Sequence, residues 1–364
     1  MSRRVGLMFG GRSVEHEVSV VSARGVAAAM AASPKLECVP IGVTVEGSWL
    51  DPETSRKILA SDATRVIPSE PMRGRVAVLP GAGLQLQSDT DAVQLLDLDA
   101  VFPLIHGWGG EDGRLQGALE LAGVPYVGAG VGGSAVGMDK VFARRLFEER
   151  GLPVCAWLAI ERYEFETDRS ATVARIVGEL GLPVFVKPAS GGSSLGVTKV
   201  VDEEDLEVAL NAAAVHDRRL VVERAHAIRE IECAVLGNER PQASVLGEIV
   251  PSNEFYDFDA KYVDDASELR IPAPLPDALS DKIRALAIEA YRSLDLAGFA
   301  RVDFFVSAEN GDVWLNEVNT LPGFTPISMF PKLWEASGLS YAGLIERLVD
   351  LAIDADRGTP PSLS

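Results

Sequence analysis

The sequence predicts a mixed fold, an α/β unit followed by α+β units, on three observations. The chain has 364 residues, room for two or three compact units around shared cores. It opens with a strand, a glycine turn and a helix, the start of many α/β domains. Helices and strands then alternate without an internal repeat, and the last two strands flank an Asn-Gly turn. Boundaries are expected near 1–127, 128–224 and 225–364.

Residues 4–9 make the first strand, Gly10-Gly-Arg-Ser13 its turn, and an Ala- and Val-rich helix runs from about Ser19 to Met30, with Ser19 or Ser22 as N-cap. Residues 36–49 read as strand and turn. Pro and Gly at 68, 71, 74, 80, 81 and 83 make 50–97 read as loops and short edge strands. Ala100–Ile105 is a buried strand, Gly113–Ala122 a helix and Pro125–Val127 a short strand. Gly128-Ala-Gly-Val-Gly-Gly133 matches the dinucleotide pattern G-x-G-x-x-G. No strand-end acid follows about twenty residues on, so it reads as a turn between units rather than an oxidoreductase site. The second unit holds helices 139–150, 171–180 and 203–214, and strands 182–187, 196–201 and 220–223; Asp139 favours one helix start and Gly151 stops that helix. The third holds strands 231–236, 243–250, 299–306 and 313–319, and helices 279–297 and 339–354. Its polar-aromatic stretch 251–270 reads either as a lid or as a packed surface loop, and the tail 356–364 as frayed.

Composition narrows the partners. With 53 acidic against 34 basic residues the formal charge is −19, which repels phosphate backbones and anionic lipid and argues against nucleic acid and membrane. No apolar run approaches the roughly 18 residues that span a bilayer, and Gly10-Gly-Arg12 interrupts the N-terminal apolar stretch before a signal peptide develops. Cys38, Cys155 and Cys233 lie far apart and read as buried thiols of a cytoplasmic protein. The four histidines form no H-x-x-x-H pair, which argues against zinc.

The chemistry concentrates at the last hairpin. Side chains alternate along a strand, so Arg301 shares a face with Asp303, and Glu317 with Asn319. A loop of about three residues centred on Asn310 sets Asp303 opposite Glu317 and Arg301 opposite Asn319, with Cβ atoms roughly 5 Å apart. Two facing carboxylates repel unless a cation lies between them, and oxygen-only ligands point to Mg²⁺ shared with substrate phosphates. The alternative is a solvated face with Asp303 paired to Arg301. Lys187-Pro-Ala-Ser-Gly-Gly-Ser-Ser-Leu-Gly196 sets a lysine, glycines and the hydroxyls of Ser193 and Ser194 where they could cover phosphates, or else a plain hairpin turn. It is not a Walker A loop, since no G-K-[ST] follows. His106-Gly-Trp-Gly-Gly-Glu-Asp-Gly113 and Gly10-Gly-Arg-Ser-Val-Glu-His-Glu17 both follow strand ends, where α/β proteins bind ligands. Glu15 and Glu17 are either first-turn acids favoured by the helix dipole or partners for a substrate ammonium.

In order, these segments resemble the D-alanine–D-alanine ligase family of the ATP-grasp superfamily. The resemblance rests on Gly10-Gly11-x-Ser13-x-Glu15-x-Glu17-x-Ser19, His106-Gly-x-Gly-Gly-Glu-Asp-Gly113, Met138-Asp-Lys140, Val186-Lys-Pro188 with Gly192-Ser-Ser-x-Gly196, Phe255-Tyr-Asp257 with Ala260-Lys-Tyr262, Gly298 to Asp303, and Glu317-x-Asn-Thr-x-Pro-Gly323. It covers nearly the whole chain, residues 50–97 least. It implies a three-domain ATP-grasp architecture with a Rossmann-like N-terminal domain, and ligation of two D-alanines through an acyl phosphate, for peptidoglycan precursors. On that resemblance Lys140, Lys187, Ser194, Glu223, Arg224, Glu230 and Lys261 contact ATP, and Asp303, Glu317 and Asn319 hold two Mg²⁺ ions, with Mn²⁺ as a possible substitute. Glu15, linked through Ser193 to Tyr262, holds the first D-alanine ammonium, and His106 contacts the same substrate. Arg301 and the Gly323 N–H form an oxyanion hole, and Ser328 and Met329 line the second D-alanine. The Lys261-Tyr262 pair favours the dipeptide over a D-lactate product. Relatives are usually cytoplasmic homodimers. His16 and Arg224 depart from the residues common at their positions.

Overall fold

The computed structural model describes residues 2–67, 74–88, 93–192, 195–250 and 268–355. β1 (Arg3–Gly10) leads into α1 (His16–Ala32), longer at both ends than the expected helix and stopping just before Ser33-Pro34. Ser19 lies inside it, accepting from Gly10 N at 2.7 Å and donating to Leu104 O. β2 (Leu36–Val43) pairs parallel with β1. Residues 50–97 hold the expected short strands and, in addition, a helix. α2 (Pro52–Leu59) is capped by the Asp51 carboxylate, which accepts from Thr54 N at 2.9 Å. β3 (Gly74–Val78), β4 (Leu84–Ser88) and β5 (Val93–Leu95) form a small antiparallel sheet. Strands this short, separated by Pro and Gly, show too little alternation for their bounds to be read. β6 (Ala100–Pro103) then joins the other edge of β1, giving a parallel sheet in the order β2-β1-β6. Val5, Leu7, Met8 and Phe9 are fully buried because a parallel sheet is covered on both faces.

α3 (Arg114–Ala122) follows, and the expected strand at 125–127 is reduced to one bridge between Tyr126 and Val101. The G-x-G-x-x-G segment is not a linker turn, since Gly130 caps α4 (Val131–Met138). Its glycines serve close packing: a Cβ on Gly133 or Gly137 would stand 2.8 Å from Leu296 or Thr320. In α5 (Lys140–Glu149) the Asp139 carboxylate accepts from Val141 N and Phe142 N, as its place in the sequence predicts.

β7 (Trp157–Glu161) and α6 (Arg162–Thr167) are absent from the sequence reading. With α7 (Arg169–Leu180), β8 (Val184–Pro188), β9 (Thr198–Val200), α8 (Leu206–Ala214) and β10 (Arg219–Arg224) they build an antiparallel sheet in the order β7-β10-β8-β9. β11 (Ile228–Leu236), β12 (Gln242–Val250), β13 (Glu268–Arg270), β14 (Phe299–Ser307) and β15 (Val313–Asn319) form a second, ordered β13-β12-β11-β14-β15, with α9 (Asp277–Ser293) preceding β14. Only the 268–270 end of the supposed lid falls within the described residues; Lys261 and Tyr262 lie outside them, as do Ser193, Ser194 and the tail 356–364. α10 (Met329–Ala336), not anticipated, and α11 (Tyr341–Asp354) return to the first sheet, so that Val20 and Phe102 share a core with Leu344 and Leu348. The fold is the predicted mixture, a parallel N-terminal sheet joined to antiparallel ones. Among the described residues no helix is long and apolar enough to cross a membrane.

Candidate active site

Residues from both larger antiparallel sheets line a cavity of about 610 Å³. Phe185 and Lys187 come from β8, Arg224 from β10, Glu230 from β11, Phe305 from β14, and Asn316 and Glu317 from β15. Strand alternation explains the pairing of Phe185 with Lys187 on one face of β8. The Lys187 ammonium sits 5.8 Å from the ring centroids of both Phe185 and Phe305, within cation–π range. Arg224 is exposed at the rim and Glu230 half-buried in the wall.

Glu223 lies deeper, 1% exposed, gripped by Lys187 on one side and the buried Arg144 of α5 on the other. Burial alone would push its carboxyl up, but the Arg144 guanidinium and the Lys187 ammonium outweigh that and hold it down at about 2. Its carboxylate faces these cations, so its immediate partners belong to the protein. Arg144 escaped the sequence reading, although a signal existed: it falls on the buried face of α5 with Val141 and Phe147.

Lys140, the first residue of α5, connects three elements. Its ammonium donates to Gly191 O at 2.8 Å in the glycine loop and stands 3.3 Å from Glu317 Oε2 on β15. Next to it the hairpin has the expected register, with Arg301 opposite Asn319 and Asp303 opposite Glu317. A bulge then intervenes, so that Phe304 faces Leu315 and Asn316 is the extra residue. The ion pair anticipated as the alternative is also present. Arg301 Nε and Nη2 donate to the two Asp303 oxygens at 2.8 and 2.7 Å, and Asn319 Nδ2 donates to Asp303 at 2.8 Å. Arg301 Nε is also 3.1 Å from Glu232 Oε2 on β11, a residue the sequence reading passed over. Burial works against the Arg301 charge, but Asp303 and Glu232 outweigh it and raise its pKa well above the ordinary value.

Among the described residues no cluster of three His, Cys, Asp or Glu could hold a metal by itself. Two carboxylates and an amide oxygen nevertheless suit a hard cation that completes its shell with phosphate oxygens and water. Asp303 and Glu317 are direct cross-strand partners, which supplies the two anionic donors such an ion needs.

The opposite end of the site is built from the two glycine turns after β1 and β6. A Cβ on Gly107 would stand 3.2 Å from Glu15 Oε2, and one on Gly192 3.5 Å, so the Glu15 carboxylate lies between the His106 turn and the Lys187 loop. Glu17 instead pairs with Arg65 at the surface, 3.1 Å away. His106 is buried; its Nδ1 donates to Leu321 O at 3.0 Å and lies 3.7 Å from Glu111. Burial pulls the His106 pKa down, but Glu111 and Glu15 outweigh it, and the net direction is upward. His16 fixes the fold locally: its Nδ1 donates to Gly11 O at 2.6 Å and its Nε2 accepts from Val66 N at 2.9 Å. Ser328 accepts from Thr325 N at 3.1 Å, and its Oγ lies 3.2 Å from where a Gly323 Cβ would be. Met329 points away into the core, 6% exposed and packed against Gly247.

Comparison with known proteins agrees along the whole length. Residues 4–129 match the family model described as D-ala D-ala ligase N-terminus, and residues 146–350 that described as D-ala D-ala ligase C-terminus. A D-alanine--D-alanine ligase of Thermoanaerobacter sp. (strain X514) is 46% identical over 358 residues, 97% of each chain. The structure of VanG D-Ala:D-Ser ligase from Enterococcus faecalis superposes with a TM-score of 0.83 at 33% identity, covering 97% of this chain and 100% of that one. The D-alanine-D-alanine ligase from Coxiella burnetii gives 0.80 at 34%, covering 97% and 94%.

Proposed function

Because the chain belongs to the D-alanine–D-alanine ligase family, we propose that its 610 Å³ cavity takes ATP and that the Glu15–His106 end takes the first D-alanine. The activity is D-alanine–D-alanine ligation for peptidoglycan precursor synthesis, and ATP use comes with the family.

A carboxylate is a poor electrophile, so the first D-alanine carboxylate attacks the γ-phosphate of ATP, giving an acyl phosphate and ADP. The amine of the second D-alanine then attacks the acyl carbon, and phosphate leaves with the oxygen it gained. Lys140 and Lys187 neutralise and orient the phosphates; Arg224 and Glu230 hold the nucleoside end, and Glu223 acts through Lys187. Glu15 anchors the ammonium of the first D-alanine, with His106 beside it. Arg301 and the Gly323 N–H stabilise the tetrahedral oxyanion, and Ser328 borders the second D-alanine. Ser193, Ser194, Lys261 and Tyr262 take the phosphate and lid roles the resemblance implies. Asp303, Glu317 and Asn319 would hold two Mg²⁺ ions, replaceable by Mn²⁺, whose contribution is to neutralise phosphate charge. A cytoplasmic homodimer completes the reading, the dimer being testable by light scattering.

The convergence of Lys140 on Glu317, 3.3 Å apart beside the cavity, is the observation that supports this reading best. It brings the cation, the proposed metal ligands and the glycine loop to one point. Phosphate release from ATP should require both D-alanine and Mg²⁺, exceed that with D-serine or D-lactate as second substrate, and nearly vanish in Glu317→Gln. Full activity of that variant would remove Glu317 from the metal site.

A further inference from the structure

Three carboxylates lie in a row across three neighbouring strands, because Glu232 of β11 faces Asp303 of β14, which faces Glu317 of β15. Directly opposed residues point to the same face of a sheet. Arg301, two residues before Asp303, lays its guanidinium between the first two acids. In this arrangement both Asp303 oxygens are committed to Arg301. A cation that binds Asp303 must share at least one of those oxygens with Arg301, which draws off its charge and weakens the bidentate pair. Arg301 cannot follow solvent, since its side chain is only 18% exposed. It needs a second anion that the cation does not claim. Glu232 meets that need: it is 5% exposed, sits on the central strand of its sheet, and is one strand further from Glu317 than Asp303 is.

We propose that Glu232 is a positioning residue that holds Arg301 in place while Asp303 turns to a divalent cation. The inference rests on the metal site proposed above. Glu232 thereby couples two functions of the row, since an Arg301 held less tightly by Asp303 and without a second anchor would either leave the oxyanion position or compete with the cation. A shorter side chain at 232 would keep the negative charge but withdraw it from the guanidinium. Arg301 would then depend on Asp303 alone, and a cation would bind against that competition.

The test is Mn²⁺ affinity in the presence of ADP, read from the electron-paramagnetic-resonance signal of free Mn²⁺, on the full-length protein. Glu232→Asp should weaken Mn²⁺ binding about tenfold, the scale of one charge-assisted hydrogen bond. In an Arg301→Met background the same change should alter affinity by no more than about twofold, the scatter of independent sites. Should melting curves show that Glu232→Asp does not fold, Glu232→Gln is read in the same two backgrounds. A loss that disappears with Arg301 supports the proposal. Wild-type affinity in the single variant, or an equal loss with and without Arg301, overturns it, because either result makes Glu232 a bystander charge. Absence of Mn²⁺ binding by the wild type would overturn the metal reading and this inference together.

Discussion

Replacing Arg144 with Met removes one of the two cations that hold Glu223, and the structure sets the scale of the loss. Both residues are 1% exposed, so solvent screens their interaction little. The Glu223 carboxyl, ordinarily at 4.5, is held at about 2. That gap converts to about 3 kcal/mol of stability at neutral pH. The sign follows from the depressed value: the contribution is complete above 4.5 and is lost as pH falls towards 2. Lys187 stays in place, so Arg144→Met should cost about 2–3 kcal/mol at pH 7, somewhat less than stripping a buried carboxylate of every partner. With an unfolding entropy of about 2.1 cal/mol/K per residue, this lowers Tm by roughly 3 °C. Scanning calorimetry at pH 7 and pH 4 measures it. In the variant, burial acts on Glu223 with less opposition, its carboxyl rises, and the deficit should shrink at pH 4. The same change leaves Lys187 more tightly held by Glu223, so KM for ATP should rise. An unchanged Tm, or a deficit equal at both pH values, would refute the reasoning.

Three further outcomes are expected. Glu15→Gln, which removes the anion between the His106 turn and the Lys187 loop, should raise KM for the first D-alanine about tenfold and KM for ATP far less, as steady-state kinetics would show. Glu111→Gln should move the His106 titration, followed by NMR, to lower pH, because Glu111 leads the groups that outweigh burial there. A raised histidine stabilises the fold below 6.5 and stops doing so above its folded value, so the variant should lose more stability at pH 6 than at pH 9. Gly110→Ala should destabilise by about 3 kcal/mol or more in urea unfolding, since its Cβ would lie 1.8 Å from Ile105 O, a backbone atom that cannot step aside.

What could be read from the chain alone depended on how local the cause was. The register of Arg301, Asp303, Glu317 and Asn319 appears as expected, although the pairing next to the turn is offset by one residue and reaches that register only through a bulge. That bulge, at Asn316, was not legible, because nothing in a period-two pattern marks where an extra residue enters. The helix Val131–Met138 was mistaken for a turn on account of its glycines. Their purpose is tertiary, to admit Leu296 and Thr320, residues some 160 and 180 positions away. Glu223 stands at a strand end as expected, but its ion pair with Arg144, 79 residues distant, leaves no local mark. Glu232 was hidden for the same reason, since its partner Arg301 lies on a strand reached only after α9. Met329 follows a motif that resembles a substrate lining, yet the helix it begins turns it into the core. Short strands were expected within 50–97 and are present, but their bounds and pairing were not legible, because strands of three to five residues carry almost no periodic signal.

The direct test of the proposed phosphoryl transfer is the fate of the carboxylate oxygens of D-alanine. With substrate labelled by ¹⁸O in its carboxylate, ATP and Mg²⁺, mass spectrometry of the released phosphate should find one ¹⁸O atom per dipeptide formed. That oxygen can reach phosphate only if the first D-alanine carboxylate was bonded to the γ-phosphorus beside Lys140, Lys187 and Glu317. Dipeptide accompanied by unlabelled phosphate would contradict it.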